Sequence, residues 1–296
     1  MEYVIETKAL TKRYGVKAAV NNVSVHVKKG DIYGLIGKNG AGKTTLMKLL
    51  LGITAAHGGE IQLFGSGDLN AARRKIGSLI EAPALYKNET AFENMKRFSL
   101  LAPTSDEEIK RLLALVGLEN TGAKKAGEFS LGMRQRLGMA IALLGNPEMP
   151  ILDEPANGLD PAGIKELRDI ILELNAKGVT FMISSHLLDE LGKIATSYGI
   201  MADGFLVEEL TAAELAERCR TSVKIIVNDP DLATEILARH HADIQLVTTG
   251  QIVRILSEVE DTSVFVEELV QNAVRVYEVT SERKGFEQYF IERLGR

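Results

Sequence analysis

The spacing of apolar and polar residues predicts alternating strands and helices over the first two thirds of the chain. Residues 3–10 and 18–27 alternate between apolar and polar positions, as half-buried strands do. Short apolar runs predict further strands at 31–37, 58–65, 74–80, 149–153 and 179–185. Helical spacing covers 43–51, 90–118, 130–144 and a segment that Asp160 and Pro161 open and Gly178 ends. Strands alternating with helices indicate an α/β fold with a mainly parallel sheet.

Two further features subdivide this fold. The early strands predict an antiparallel β subdomain, and residues of about 88–146 predict a helical subdomain with Ser130 as a helix N-cap. Beyond residues 210–222 the pattern becomes strand, helix, strand, strand, helix, strand, followed by a closing helix. We therefore expect a larger domain at 1–212 and a small α+β accessory domain at 213–296.

Composition excludes several classes of protein. The 296 residues are 45% hydrophobic and 25% charged, as in ordinary folded proteins, and the net charge of −5 gives no indication of nucleic-acid binding. The single cysteine, Cys219, rules out an internal disulfide and fits a reducing cytosol. The first ten residues lack the basic-then-apolar pattern of a secretion signal, and no run approaches about 20 apolar residues, so we expect neither a secretion signal nor a chain that crosses a membrane by itself.

The segment "GKNGAGKT" matches the phosphate-loop pattern G-x-x-x-x-G-K-[ST] between a predicted strand and a predicted helix. Glycines let the backbone wrap closely around phosphates, so that N–H groups and the helix N-terminus point at the anion. Lys43 would reach the β- and γ-phosphates, and the Thr44 hydroxyl would ligate Mg²⁺. The predicted nucleotide-binding residues are Gly37, Lys38, Asn39, Gly40, Ala41, Gly42, Lys43, Thr44 and Thr45.

The segment "PILDEP" places two acids at the end of an apolar strand. Asp153 would reach the phosphate end of the sheet, where open α/β folds bind ligands, and would hold Mg²⁺ directly or through water. One acid suffices for the metal, so Glu154 is best explained as the group that polarises the attacking water.

With these motifs the chain resembles the ATP-binding subunits of ABC transporters over roughly residues 3–210. "RYG" is similar to the aromatic loop of that family, which implies that Tyr14 stacks on adenine. "ISSHLLDE" places His186 where the family has its switch histidine, so the resemblance implies a catalytic role for it.

Two other segments resemble parts of the family that act across a dimer. "FSLGMRQR" looks like the signature motif, which implies that Ser130 and Gly132 contact the ATP of a second copy. "NGLD" is similar to the D-loop, which places Asp160 at the dimer seam. Leu131 stands where the family has a glycine, so phosphate contacts would depend on Ser130 and the Gly132 amide.

Glu81 in "SLIEAP" occupies the place of a family glutamine that contacts Mg²⁺ and signals to the membrane subunit. Two interpretations remain open: Glu81 marks the end of a strand, or it ligates Mg²⁺ and contributes to catalysis, because a carboxylate is a harder metal ligand than an amide. "SLIEAP", "NETAFENM" and "FSLGMRQRLGMA" most resemble the ATPases of bacitracin-resistance and lantibiotic-immunity exporters.

The resemblance implies an ATP-hydrolysing subunit that uses ATP and Mg²⁺ and works as a homodimer or with a sister ATPase. It would drive a separate transmembrane permease docked near 81–100, from the cytoplasm at the inner face of the cell membrane, with no nucleic-acid partner. The cargo would be an antimicrobial peptide or another small amphipathic compound.

The alternative is a non-transport ABC-type ATPase with a regulatory, ribosome-associated or DNA-associated role. The single cassette and the lack of heptads or cysteine clusters count against the ribosome and DNA roles. Glu154 and His186 favour turnover over a purely regulatory binder.

Overall fold

The computed structural model describes residues 2–219, 221–241, 244–256, 261–283 and 286–294. Its Cα positions separate two units, residues 2–212 with 293 and 294, and residues 213–292. The strands up to the boundary are β1 (Tyr3–Tyr14), β2 (Lys17–Val23), β3 (His26–Lys28), β4 (Ile32–Ile36), β5 (Gly58–Leu63), β6 (Ile76–Leu79), β7 (Met149–Asp153), β8 (Phe181–Ser185), β9 (Ser197–Ala202) and β10 (Phe205–Thr211). The helices up to the boundary are α1 (Lys43–Leu50), α2 (Leu69–Arg73), α3 (Ala91–Phe98), α4 (Asp106–Leu115), α5 (Leu131–Ala142), α6 (Pro161–Ala176) and α7 (Leu188–Gly192), and α8 (Ala212–Arg218) begins at the boundary itself.

A six-stranded sheet in the order β10-β9-β4-β8-β7-β6 forms the centre of the larger unit. Every neighbouring pair is parallel except β9 and β10. Strands β4, β7 and β8 are buried at every position, as expected for a parallel sheet covered on both faces. The carboxyl ends of these three strands therefore meet at one edge of the sheet, followed by the phosphate-loop segment, Glu154 and His186.

The antiparallel subdomain consists of β2, β1 and β3, with β5 paired to β1. The predicted strand at 18–27 is interrupted, since β2 ends at Val23 and β3 begins at His26. Tyr33 on β4 donates a 2.7 Å hydrogen bond to Glu209 on β10, and Glu209 also accepts from the backbone N–H of His26 at 2.9 Å. This carboxylate thus links the antiparallel subdomain to the edge of the central sheet.

The helical subdomain differs from the sequence prediction in one respect. The continuous helical stretch predicted at 90–118 is two helices, α3 and α4, separated by residues 99–105. Pro103 lacks the N–H that a helix interior needs, and Ser105 begins α4 by accepting a 3.2 Å hydrogen bond from the Glu108 N–H. The helix predicted to begin with Ser130 as its N-cap is confirmed as α5.

The second unit contains β11 (Thr221–Val227), α9 (Pro230–His240), β12 (Leu246–Thr249), β13 (Ile252–Ile255), α10 (Ser263–Gln271), β14 (Val276–Arg283) and α11 (Phe286–Leu294). Its antiparallel sheet has the order β12-β13-β11-β14. The core joins alternate strand residues such as Val223 and Ile255 to Leu237 on α9 and Leu269 on α10. This order of elements agrees with the pattern predicted from the sequence.

Within the described part of the chain, no helix is both long enough and apolar enough to span a bilayer.

Candidate nucleotide site

The phosphate-loop segment connects the buried strand β4 to the N-terminus of α1. Gly40 and Gly42 have φ values of +83° and +109°, a region that side chains disfavour. A Cβ on Gly42 would also lie 2.2 Å from the carbonyl oxygen of Ala19. Glycine at 42 is therefore required both by the turn and by the close approach of a neighbouring strand.

Lys43, the first residue of α1, is buried with its ammonium group at this edge of the sheet. Its Nζ donates a 2.7 Å hydrogen bond to the carbonyl oxygen of Gly37 and lies 3.5 Å from Glu154 Oε1. A buried ammonium group needs such partners, because leaving water unpaired is costly. These contacts place the positive charge inside the loop that would surround an anion.

Asp153 ends β7 with both carboxylate oxygens hydrogen-bonded. Thr44 Oγ1 donates to Oδ2 at 2.6 Å, and Ser184 Oγ donates to Oδ1 at 2.5 Å. The structure thus brings together the hydroxyl and the carboxylate that the sequence predicted as Mg²⁺ ligands.

Glu154 adopts a left-handed backbone conformation with φ of +51°. A conformation of this kind costs about 1–3 kcal/mol in a residue other than glycine, so surrounding contacts must hold it. The Glu154 N–H donates to Ser184 Oγ at 2.9 Å and to the Ser184 carbonyl oxygen at 3.2 Å. Gln135 Nε2 donates to the Glu154 carbonyl oxygen at 3.4 Å.

The two oxygens of the Glu154 side chain have different surroundings. Oε2 accepts from the His186 N–H at 3.2 Å and lies 2.6 Å from His186 Nδ1. An ionised carboxylate only accepts hydrogen bonds, so Nδ1 carries the proton in this contact. Oε1 is buried and has no hydrogen-bond partner among the described residues, with Lys43 Nζ 3.5 Å away. His186 therefore holds Oε2, whereas Oε1 faces the Lys43 ammonium group without accepting a hydrogen bond from a described residue.

These residues fit a magnesium–nucleotide complex. Thr44 and Asp153 present the hard oxygen ligands that Mg²⁺ prefers, and the next residue, Glu154, has a buried Oε1 that accepts no hydrogen bond from a described residue. No group of three or more His, Cys, Asp or Glu side chains in the described ranges is arranged to hold a metal ion.

Glu81 follows β6 with φ of +59° and a side chain that is 64% exposed. Its Oε1 lies 2.7 Å from Lys48 Nζ, and the hydrogen bond raises the pKa of Lys48. Lys48 is one turn after Thr44 on α1. The Lys48–Glu81 contact therefore attaches Glu81 to the helix that carries the predicted metal-ligating hydroxyl.

Tyr14 ends β1 and has an exposed ring, as stacking on a base would require. Lys12 Nζ lies 5.2 Å from the centre of this ring, a distance at which an ammonium group is attracted to an aromatic face.

The residues predicted to act across a dimer lie together in one copy. Ser130 accepts a 3.2 Å hydrogen bond from the Met133 N–H and begins α5, and Asp160 accepts a 3.0 Å bond from the Gly163 N–H and begins α6. Both line one cavity of about 530 Å³ with Gly132. The signature and D-loop segments therefore share a surface.

Leu131, which replaces a signature glycine, packs over the backbone of Gly158. A Cβ on Gly158 would lie 2.3 Å from Leu131 Cδ2, and Gly158 has φ of +79°. The leucine thus occupies space that only a glycine in the D-loop segment leaves open.

The sequence prediction missed three residues of this site: Ser184, Lys48 and Gln135. Ser184 had a detectable signal, because a polar residue ends an apolar run directly before His186 in "FMISSH". Lys48 lies one turn beyond Thr44, a spacing that places both on one helix face. Gln135 had no such signal, because its partner is separated from it by 19 residues.

The chain is similar to known proteins over its whole length. Residues 20–157 match the family model described as ABC transporter. Over 300 residues the chain is 39% identical to the bacitracin transport ATP-binding protein BcrA of Enterococcus faecalis, covering 100% of this chain and 97% of that protein. Over 206 residues it is 45% identical to the lantibiotic transport ATP-binding protein SrtF of Streptococcus pyogenes, covering 70% of this chain and 90% of that protein. A solved structure of an ATP-binding subunit of an ABC transporter superposes with a TM-score of 0.66 at 29% identity, covering 73% of this chain and 92% of its own.

Proposed function

Because the chain belongs to the ATP-binding subunits of ABC transporters, we propose that its ATPase activity drives export of an antimicrobial peptide or another small amphipathic compound. The predicted family, the fold class and the activity of a transport ATPase are confirmed by these relatives. Coupling to a separate membrane permease is part of the proposal. The cargo is proposed from the names of BcrA and SrtF, which refer to bacitracin and lantibiotic transport.

The working unit in this proposal is a dimer at the inner face of the cell membrane, attached there through its permease. Ser130 and Gly132 would contact ATP held by the second copy, because one chain carries one phosphate loop and one signature segment. Asp160 would lie at the seam. ATP closes such a dimer only if it binds the closed state more tightly than the open one.

The residues around the phosphate loop would then act as follows. Lys43 would exchange the Gly37 carbonyl oxygen for the β- and γ-phosphates, and Tyr14 would stack on adenine. Thr44 and Asp153 would hold Mg²⁺, with Glu81 as a further ligand. Bound Mg²⁺ supplies positive charge that offsets the charge of the phosphates.

The observation that carries the catalytic assignment is the buried Oε1 of Glu154, which accepts no hydrogen bond from any described residue. This oxygen would accept a proton from the attacking water. His186 would hold Oε2 through Nδ1–H, and so direct Oε1 towards the phosphate loop. Proton transfer to a positioned side chain contributes about 10²–10⁴-fold to a reaction rate.

Substituting Glu154 with glutamine tests this assignment, because the amide keeps the shape and cannot accept the proton as a base. We expect Glu154→Gln to retain ATP binding, to lose about 10²–10⁴-fold in turnover and to accumulate an ATP-bound dimer in size-exclusion chromatography. The matched control is Glu148→Gln just before β7, where the carboxylate pairs with Lys75 at 2.9 Å. Turnover at the native rate in Glu154→Gln would contradict the assignment.

The proposed cargo needs a cellular assay. Expression of the chain with its cognate permease in a sensitive bacterium should raise the concentration of bacitracin or a lantibiotic that stops growth, and Glu154→Gln should abolish this protection. Equal protection by the native and Glu154→Gln chains, or none by either, would overturn the cargo assignment.

A further inference from the structure

We propose that Ser184 is a positioning residue that holds both acids of the site, Asp153 and Glu154, through a single hydroxyl group. The inference rests on the proposed function of these two carboxylates. It assigns to β8 a task beyond that of carrying the chain to His186.

The direction of each hydrogen bond at Ser184 is fixed by its partners. The Glu154 backbone N–H can only donate, so Ser184 Oγ accepts from it at 2.9 Å. The Ser184 proton is then directed to Asp153 Oδ1, 2.5 Å away. One hydroxyl therefore accepts from the backbone of one acid and donates to the side chain of the other.

The bond to Asp153 determines which of its oxygens faces the phosphate loop. With Oδ1 held by Ser184, Oδ2 remains for Thr44 Oγ1, 2.6 Å away. A carboxylate that lost the Ser184 bond could rotate about its terminal torsion, which is soft. Ser184 thus orients the carboxylate against the other predicted Mg²⁺ ligand, as outer partners of metal ligands generally do.

The bond to Glu154 maintains its left-handed backbone. The Glu154 N–H also lies 3.2 Å from the Ser184 carbonyl oxygen, so this one residue supplies both acceptors. The conformation turns the side chain so that Oε2 meets His186 Nδ1 and Oε1 lies 3.5 Å from Lys43 Nζ.

Packing alone does not explain a serine at this position. Ser184 is 0% exposed and follows Phe181, Met182 and Ile183, three buried apolar residues of the same strand. An alanine would fill nearly the same volume without the cost of burying a hydroxyl. Within the described residues, the partners of this hydroxyl are the Glu154 backbone N–H and the Asp153 carboxylate, which favours a role in positioning the two acids.

Ser184→Ala tests the inference through two binding measurements and one rate. Binding of a fluorescent, non-hydrolysable ATP analogue is measured without Mg²⁺ and then as Mg²⁺ is added, so that neither value depends on turnover. We expect unchanged affinity without Mg²⁺, a half-saturating Mg²⁺ concentration raised about 10–100-fold, and a lower kcat, in line with losses of outer partners at other metal sites.

The matched control is Thr180→Val, which removes a buried hydroxyl just before β8 that accepts from the Gly30 N–H at 2.8 Å. We expect this variant to keep the native Mg²⁺ dependence. If Ser184→Ala also keeps it, or loses affinity for the analogue without Mg²⁺, the positioning role is overturned.

Asp153→Asn separates this inference from the proposed function. If Asp153→Asn shifts the Mg²⁺ dependence and Ser184→Ala does not, the inference about Ser184 alone is wrong. If Asp153→Asn has no effect, the proposed Mg²⁺ site is wrong and the inference about Ser184 is overturned with it.

Discussion

Replacing Lys48 with methionine tests whether Glu81 exchanges a lysine partner for Mg²⁺. Lys48 Nζ lies 2.7 Å from Glu81 Oε1, and the raised pKa of Lys48 keeps the ammonium group charged at neutral pH. If Glu81 turns from Lys48 to a Mg²⁺ held by Thr44 and Asp153, the ion pair competes with the metal. Removing the lysine should then tighten Mg²⁺ binding through Glu81.

The exposure of the two side chains limits the size of this effect. Glu81 is 64% exposed and Lys48 is 28% exposed, so the pair is screened by solvent. Pairs of this kind contribute about 0.2–1 kcal/mol, which corresponds to a change of about 1.4-fold to fivefold in the Mg²⁺ half-saturation. Lys48→Met also removes a positive charge near an anionic nucleotide, which weakens binding. A double-mutant cycle with Glu81→Gln separates the two effects.

The assay is Mg²⁺-dependent binding of a non-hydrolysable ATP analogue to the native chain, Lys48→Met, Glu81→Gln and the double variant. We expect Lys48→Met to lower the half-saturating Mg²⁺ concentration more in the chain that has Glu81 than in the Glu81→Gln chain. Lys177→Met is the control, because Lys177, directly after α6, pairs with Glu173 on that helix at 2.6 Å, outside the site. Zero coupling within error, or coupling of the opposite sign, would refute the exchange and leave Glu81 as the end of a strand.

Two other predictions concern stability and domain organisation. Burial, followed by the charge and the hydrogen bond of Glu209, raises the pKa of Tyr33 well above its ordinary value of 10.0. The contribution of Tyr33 to the free energy of unfolding is therefore complete below about pH 10 and is lost as the pH rises further. Tyr33→Phe should lower the free energy of unfolding, measured by urea titration, by about 1.5–3 kcal/mol at neutral pH, and should lose less stability than the native chain at alkaline pH. An equal loss of stability with rising pH in both chains would contradict this. A chain ending at residue 212 should bind ATP with native affinity in calorimetry, and loss of binding would show that 213–296 is not an accessory domain.

The sequence predicted the parts of the site that are carried by local patterns. The phosphate-loop turn depends on glycines followed by Lys43 and Thr44, and these positions are needed wherever a strand leads into a phosphate-binding helix. Helix starts at Ser130 and Asp160 were predictable because a capping side chain bonds to an N–H only three residues away.

Contacts between distant segments could not be predicted in this way. The Ser184 hydroxyl meets the backbone and side chain of acids about 30 residues earlier only because β7 and β8 pair in parallel, with Asp153 opposite Ser184. The Lys48–Glu81 pair joins a helix to a strand end 33 residues away. Periodicity reports which face of an element is buried, whereas these contacts depend on register between elements.

The break in the predicted 90–118 helix has a different origin. Ile109, Leu112 and Leu113 are buried on α4, so the helical period was right where the helix packs. Leu100 and Leu101 add two apolar residues to the predicted helical stretch, and yet both are exposed in the connection between α3 and α4. The apolar residues therefore overstated the length of the helix, and Pro103, which the prediction did not take into account, is the local signal for the interruption.

The contact between Leu131 and Gly158 gives a structural reason for a leucine at the signature position where the family has a glycine. A glycine at 131 would expose backbone, whereas this leucine packs on the D-loop backbone of its own copy, at a position where any Cβ on residue 158 would clash with it. Ser130 and Asp160, on either side of this contact, each begin a helix. Leu131 therefore covers backbone that a glycine would leave exposed in the signature segment, and it packs this segment directly against the D-loop segment. The proposed dimer would use both segments together.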